Sequence, residues 1–332
     1  MAGSTASASI PAWREAGRRG ERLFISEVFL RDGAQAMPDA ALAYLTVEHK
    51  LEIIRRLCAL GMPGIEVASF AHPKVLPQFV DAEEILRGLP SDVDTVFRAV
   101  TPNLRGLSRA AGAGAAGRVT MIGMLSCSEE YQRRNVLKSI DEGLTELEKM
   151  ATFARTEGIT LIAGAGNAFG CPYEGAIDPL HVIGIVGRLV DIGFTEVWVG
   201  DTYGMAPASA IFDLSRELRR RFPDVRFGLH LHNRHGLAVA NVLAAIEAGI
   251  RMFDTSMLGV GAGSVIPGNR MEMGNVATEE VVGLGRGIGF DIGVEMPAIS
   301  ELALELSEKT GITPRSRVLN VGIEVERDPA GQ

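Results

Sequence analysis

Short apolar stretches alternate with amphipathic ones along this 332-residue chain, in eight strand–helix pairs that recur every ~25–40 residues. Polar residues stand at or near the ends of the strand stretches: Arg31, Asp32, Glu66, Arg98, Ser126, Asn167, Asp201, His230 and His232. The rhythm and the systematic polar ends together predict an α/β protein, a (β/α)8 TIM barrel, because a closed barrel gathers those ends on one face. An open doubly wound sheet is the structural alternative. The expected organisation is a flexible leader over 1–22, a barrel over 23–291 and a short C-terminal helical appendage over 292–332.

The elements follow in order. Residues 24–30 alternate weakly and predict a first strand ending in Arg31-Asp32-Gly33. Thr46 is placed to cap a helix with Leu51, Ile54, Leu57 and Leu60 on one face, ended by Gly61. Strand 64–70 carries Glu66 among apolar neighbours. A helix over 77–89, a strand over 94–100 and a short helix over 104–111 come next. Strand 118–125 leads into a long amphipathic helix over 136–156. Strand 159–164 exits through a glycine-rich stretch containing Asn167. Helix 179–191, strand 195–199 and helix 207–221 precede the seventh strand, 227–232. Helix 237–248, strand 250–256, a glycine-rich loop and a helix from about residue 278 close the repeat. Residues 297–309 read as an appended helix, and the segment from Pro314 has no clear period.

Composition narrows the class. Hydrophobic residues make up 46% of the chain and 39 glycines punctuate them, as in a loop-rich α/β protein. A net charge of −8 argues against general nucleic-acid binding, which needs a basic surface. Cys58, Cys127 and Cys171 form no CxxC pair or disulfide framework, so a reducing, cytoplasmic setting is expected. No apolar run reaches the ~18 residues of a membrane-spanning helix. The first twenty residues lack the apolar core of a signal peptide. A symmetric dimer is the default assembly.

The chemistry centres on Gly228-Leu-His-Leu-His-Asn-Arg-His-Gly236. His230 and His232 lie two apart on a strand, so both rings leave one face. Two imidazoles there suit a divalent metal. Asp32 ends the first strand, and barrel closure brings that strand close to the seventh. One carboxylate and two imidazoles make a mixed oxygen–nitrogen site, and Asn275 after strand eight is a candidate for one more oxygen. Taken alone, Asp32 reads equally well as a turn aspartate and Asn275 as a helix cap. Arg31 is suited to an enolate or carboxylate oxygen, or to an ion pair with the buried Glu66. Asp201 is a candidate base or a partner to a histidine. Cys127 and Cys171 read as packing or loop residues, since neither has an evident base. The Gly261-Ala-Gly263 run lacks the lysine of a phosphate loop.

At this point the residues resemble a family. Glu27-Val28 through Arg31-Asp32-Gly33-Ala34-Gln35, Ile65-Glu-Val-Ala-Ser-Phe70, Pro73-Lys-Val-Leu-Pro-Gln78 and Ser126-Cys-Ser-Glu129 are similar to those of 3-hydroxy-3-methylglutaryl-CoA lyases. So are Gly170-Cys-Pro-Tyr-Glu-Gly175, Gly200-Asp-Thr202, His230-x-His232 and Gly274-Asn-Val-Ala-Thr-Glu279. These lyases sit within a wider group of barrel lyases, condensing enzymes and carboxyltransferases. The resemblance covers about residues 24–289. It implies a divalent cation, magnesium or manganese, on Asp32, His230, His232 and Asn275. It implies that Arg31 stabilises an enolate, with Glu66 and Gln35 in support, during retro-Claisen cleavage of a 3-hydroxyacyl-CoA. Asp201 and His235 are the other catalytic candidates; Ser69, Asn167 and Arg270 join Gln35 as substrate-binding candidates. An acyl-CoA or small carboxylate is the expected substrate.

Two departures stand out. The lyases carry a reactive cysteine in the loop after strand eight, and residues 259–275 contain none; Ser264 lies near the expected position. His235 stands where the lyases commonly have tyrosine, and an imidazole there suits proton transfer. The alternatives carried forward are a condensing acyltransferase of the isopropylmalate or citramalate synthase type, a 4-hydroxy-2-oxoacid aldolase, and a barrel that binds without turnover.

Overall fold

The computed structural model describes residues 20–263 and 265–321. The expected leader lies almost wholly outside them, as does Ser264. Strands β1 (Phe24–Glu27), β2 (Gly64–Ser69), β3 (Val96–Thr101), β4 (Val119–Ser126) and β5 (Leu161–Gly166) form the first part of the barrel. A small antiparallel hairpin, β6 (Gly170–Cys171) and β7 (Gly175–Ala176), sits outside it. Strands β8 (Glu196–Asp201), β9 (Arg226–Leu231) and β10 (Met252–Thr255) complete it. The order β1-β10-β9-β8-β5-β4-β3-β2 is closed and every barrel pairing is parallel. The predicted TIM barrel is therefore the observed fold.

Local chemistry explains where the elements depart from the pattern. The first strand stops at Glu27, not at residue 30. The Glu27 carboxylate accepts the Phe29 N–H, and the Val28 carbonyl then accepts the N–H groups of Arg31, Asp32 and Gly33. The result is a π-helical turn over Phe29–Gly33 that presents Arg31 and Asp32. The long helix expected over 136–156 runs over Ile140–Glu157, and a separate helix, Glu129–Val136, precedes it. Leu137 takes a left-handed conformation between them, and Ser139 opens the second with a capping box to Glu142. Over 77–89 a 3-10 turn at Pro77–Phe79 precedes the helix Ala82–Gly88. Thr46 caps the helix Val47–Ala59 as expected, accepting the His49 N–H at 3.3 Å.

Helix Met296–Thr310 buries Ile299, Leu302, Ala303 and Leu306, and its Glu305 accepts from Arg56 at 2.7 Å. A short helix, Arg317–Val321, follows where no period was evident. Two carboxyls are buried where β1 and β10 end. Glu27 accepts the N–H groups of Phe29 and Met257 and the Thr278 hydroxyl. Glu279 accepts the Leu258 N–H at 3.0 Å through one oxygen, while the other has no partner. Burial pushes Glu27 up to about 7 and Glu279 up to about 8. For Glu279 the folded value lies above the ordinary 4.5. Its contribution to stability is therefore complete below that value and lost as pH rises through about 8. Thermal melts across this window are expected to show a shallower decline for Glu279→Gln than for the native chain; parallel declines would assign the proton uptake elsewhere.

Candidate active site

The strand ends surround a cavity of about 360 Å³ at the barrel's C-terminal face. The π-helical turn supplies Arg31 and Asp32, β2 supplies Glu66, and β9 supplies His230, with His232 just beyond it. Asn275 arrives from the last loop. There Asn233 N–H donates to the Gly274 carbonyl and Val276 N–H to the Leu231 carbonyl, which lays residues 274–276 beside the end of β9.

Asp32, His230 and His232 each offer one ligand atom within 4.8 Å of the others. The two Nε2 atoms are 2.9 Å apart and lie 3.8 and 3.6 Å from Asp32 Oδ2. Asp254, on β10, takes His230 Nδ1 at 3.0 Å. That carboxylate accepts, so Nδ1 donates and Nε2 keeps a lone pair facing the cluster. Burial opposes charge on His230, but Asp254 and Asp32 outweigh it and raise its pKa. Burial pushes His232 down to about 3, so this ring is neutral near pH 7.

Asn275 Nδ2 donates to Asp32 Oδ2 at 2.9 Å and to the Val260 carbonyl at 3.1 Å, while its Oδ1 is buried without a partner. Gly261, at φ 154°, allows this approach: a Cβ there would stand 1.9 Å from Asn275 Nδ2 and 2.6 Å from Asp32 Oδ2. Two facing imidazole nitrogens, a carboxylate and an orphaned amide oxygen make a donor set that fits a divalent cation.

Arg31 is held from two sides. Its Nε donates to Glu66 and its Nη1 to Asp32. Burial works to raise the Asp32 pKa, but Arg31 and the two histidines hold it below the ordinary range. Burial of Glu66 prevails over Arg31 and raises its pKa. Gln35 donates to Asp32 Oδ1 at 3.2 Å. The expected Arg31–Glu66 pair is thus present, and Gln35 stands beside the cluster.

Ser69 and Asn167 also line the cavity. Asn167 accepts from Ser126 Oγ at 2.9 Å. The wall described around the cavity does not include Asp201, His235 or Arg270. Asp201 turns its carboxylate to the N–H groups of Gly204, Met205 and Ala206. His235 is exposed beside Gly204, and Arg270 is exposed and donates to the Gln35 carbonyl at 3.3 Å.

Three cavity residues were not singled out for this chemistry. Asp254 is the partner of His230, although an aspartate between Phe253 and Thr255 in an apolar strand was a signal of the same kind as Glu66. Trp198 forms part of the wall inside β8. Tyr131 also lines the cavity; a Cβ at Gly263 would lie 2.5 Å from its hydroxyl. Burial holds that phenol well above its usual range, so it is a neutral donor.

Comparison with known proteins agrees with this fold. The HMGL-like family model matches residues 22–304. The (R)-citramalyl-CoA lyase of Chloroflexus aurantiacus is 35% identical over 301 residues, covering 88% of this chain and 92% of that protein. A hydroxymethylglutaryl-CoA lyase of Bacillus subtilis is 32% identical over 301 residues, covering 91% and 97%. Among solved structures, an HMG-CoA lyase of Acinetobacter baumannii in complex with coenzyme A and 3-methylmalate superposes with a TM-score of 0.84 at 27% identity, covering 93% of this chain and 97% of that one. With its closed barrel and its carboxylate–imidazole cluster, this chain belongs to the HMGL-like family and is a lyase.

Proposed function

We propose that the protein cleaves a 3-hydroxyacyl-CoA by retro-Claisen chemistry, with 3-hydroxy-3-methylglutaryl-CoA as the reference substrate, giving acetyl-CoA and acetoacetate. The observation that carries this reading is the Asp32–His230–His232 cluster beside a clamped Arg31 at the cavity wall. Asp32, His230, His232 and Asn275 would hold magnesium or manganese, which would supply Lewis acidity to the substrate. Arg31 contributes a fixed positive charge for the developing enolate oxygen, and its two carboxylate partners spare it reorganisation during the reaction. Gln35, Ser69 and Asn167 shape the space around the acyl group. The relative solved with coenzyme A supports a CoA thioester. Three unpaired cysteines favour a cytoplasmic setting.

The enolate needs a proton. Tyr131 offers a neutral hydroxyl from the cavity wall, and His235 offers an imidazole from the exposed loop beyond it. Tyr131→Phe is expected to lower turnover roughly tenfold or more, and His235→Phe to change it less. The reverse order would assign proton transfer to His235.

A second substrate is favoured by the citramalyl-CoA lyase relative. Citramalyl-CoA shares the tertiary alcohol and the free carboxylate, and the same bond cleavage gives acetyl-CoA and pyruvate. Incubating the magnesium-loaded protein with each thioester and measuring acetyl-CoA, acetoacetate and pyruvate separates the two. Release from neither, with cation bound, would move the assignment to condensation or aldol cleavage.

A further inference from the structure

A second cationic group lies inside the barrel, on the far side of Asp254 from His230. Arg98 extends inward from β3 and is 1% exposed. Its Nη1 donates to Asp254 Oδ1 at 2.7 Å, while Asp254 Oδ2 faces His230 Nδ1. The guanidinium lies over the Trp198 ring, 3.9 Å from its centroid. Gly228 makes room for that indole, since a Cβ there would stand 2.5 Å from the ring. Arg98 lines the cavity, yet its Nε and Nη2 are buried without a partner.

Ion pairing with Asp254 uses one of the guanidinium's three nitrogens, and stacking on Trp198 covers one face. Leaving the other N–H groups unmet in a low-dielectric interior is costly. A planar fork of donors matches a carboxylate. Val100, Ile122 and Met124 line the same cavity and pack with Trp198, while Glu66, on the neighbouring strand, lies near enough for the Arg98 charge to favour its ionised form.

We propose that Arg98 determines specificity by receiving the free carboxylate of the acyl group. The enzyme then selects CoA thioesters of dicarboxylic hydroxy acids over those of neutral hydroxy acids. This rests on the acyl-CoA reading above, with the thioester directed toward the open side of the cavity and the carboxylate toward the barrel interior.

The test uses thioesters that cannot undergo the cleavage because they lack the 3-hydroxyl. Glutaryl-CoA and succinyl-CoA carry the carboxylate at two spacings; butanoyl-CoA carries none. Calorimetry on the magnesium-loaded protein is expected to show at least one carboxylate-bearing thioester binding roughly 10- to 100-fold tighter than butanoyl-CoA. Arg98→Lys keeps a cation beside Asp254 but lacks the fork, and Arg98→Gln removes the charge. In both, the preference is expected to fall below about threefold while butanoyl-CoA affinity stays near the native value. A role confined to positioning Asp254 would leave the preference in place. No preference in the native protein, or the native preference retained in a cooperatively melting Arg98→Lys protein, overturns the assignment. Acetyl-CoA release is measured on the same preparations. Release with an unmoved preference removes the Arg98 role alone; no release with a collapsing preference keeps that role and removes the lyase substrate reading.

Discussion

Asp32→Asn is expected to weaken magnesium or manganese binding on the order of 100-fold or more and to lower turnover in parallel, with the melting temperature little changed. Asp32 is the one carboxylate among the three clustered residues that could hold the ion. Its charge is maintained by Arg31 and two imidazoles despite burial. Asparagine keeps the shape and removes the charge. It also confronts the Asn275 amide nitrogen, now 2.9 Å from Asp32 Oδ2, with a side chain that accepts through only one end. Calorimetric titration with each cation, beside thermal melts, checks both parts. Retained affinity would remove Asp32 from the ligand set.

Arg31→Met is expected to lower kcat about 10²–10³-fold, the scale of losing a preorganised donor from a developing oxyanion, with cation affinity changed much less. The guanidinium bridges two carboxylates, giving Nε to Glu66 and Nη1 to Asp32. Arg31→Lys is therefore not a conservative replacement: one ammonium cannot reproduce a rigid fork held by two anions. Its activity is expected to remain closer to Arg31→Met than to the native protein. Steady-state kinetics on the preferred thioester, with cation binding measured separately, distinguishes the two effects. Near-native turnover in Arg31→Met would place enolate stabilisation on another group.

Much of this site was readable before the fold was known. The period-two pattern through His230 and His232 put both rings on one strand face. Glu66 sat in an apolar strand, where a carboxylate needs a partner, and Arg31 was the nearest candidate. Other features depended on contacts that no local pattern encodes. Asp254 and Arg98 are 156 residues apart, and only barrel closure joins them. The π-helical turn arises because the Val28 carbonyl gathers three successive donors. Asp201 shares the strand-end position of the other site residues, but its carboxylate is satisfied by three N–H groups of its own turn. His235 follows His230 and His232 closely in sequence, yet it is exposed, with its N–H donated to the Gly204 carbonyl.

The sequence by itself determined the alternation of strands and helices, and with it the barrel and the face on which its polar ends meet. Side-chain periodicity and barrel connectivity are local rules, and they suffice for that much. Only the tertiary structure decided which way each side chain turns and which charge meets which. Burial made those choices, because each charged or polar group removed from water needed a partner brought from a distant strand. Arg98 shows the limit of that matching: closure supplied Asp254 and Trp198, and left two guanidinium nitrogens buried without a partner.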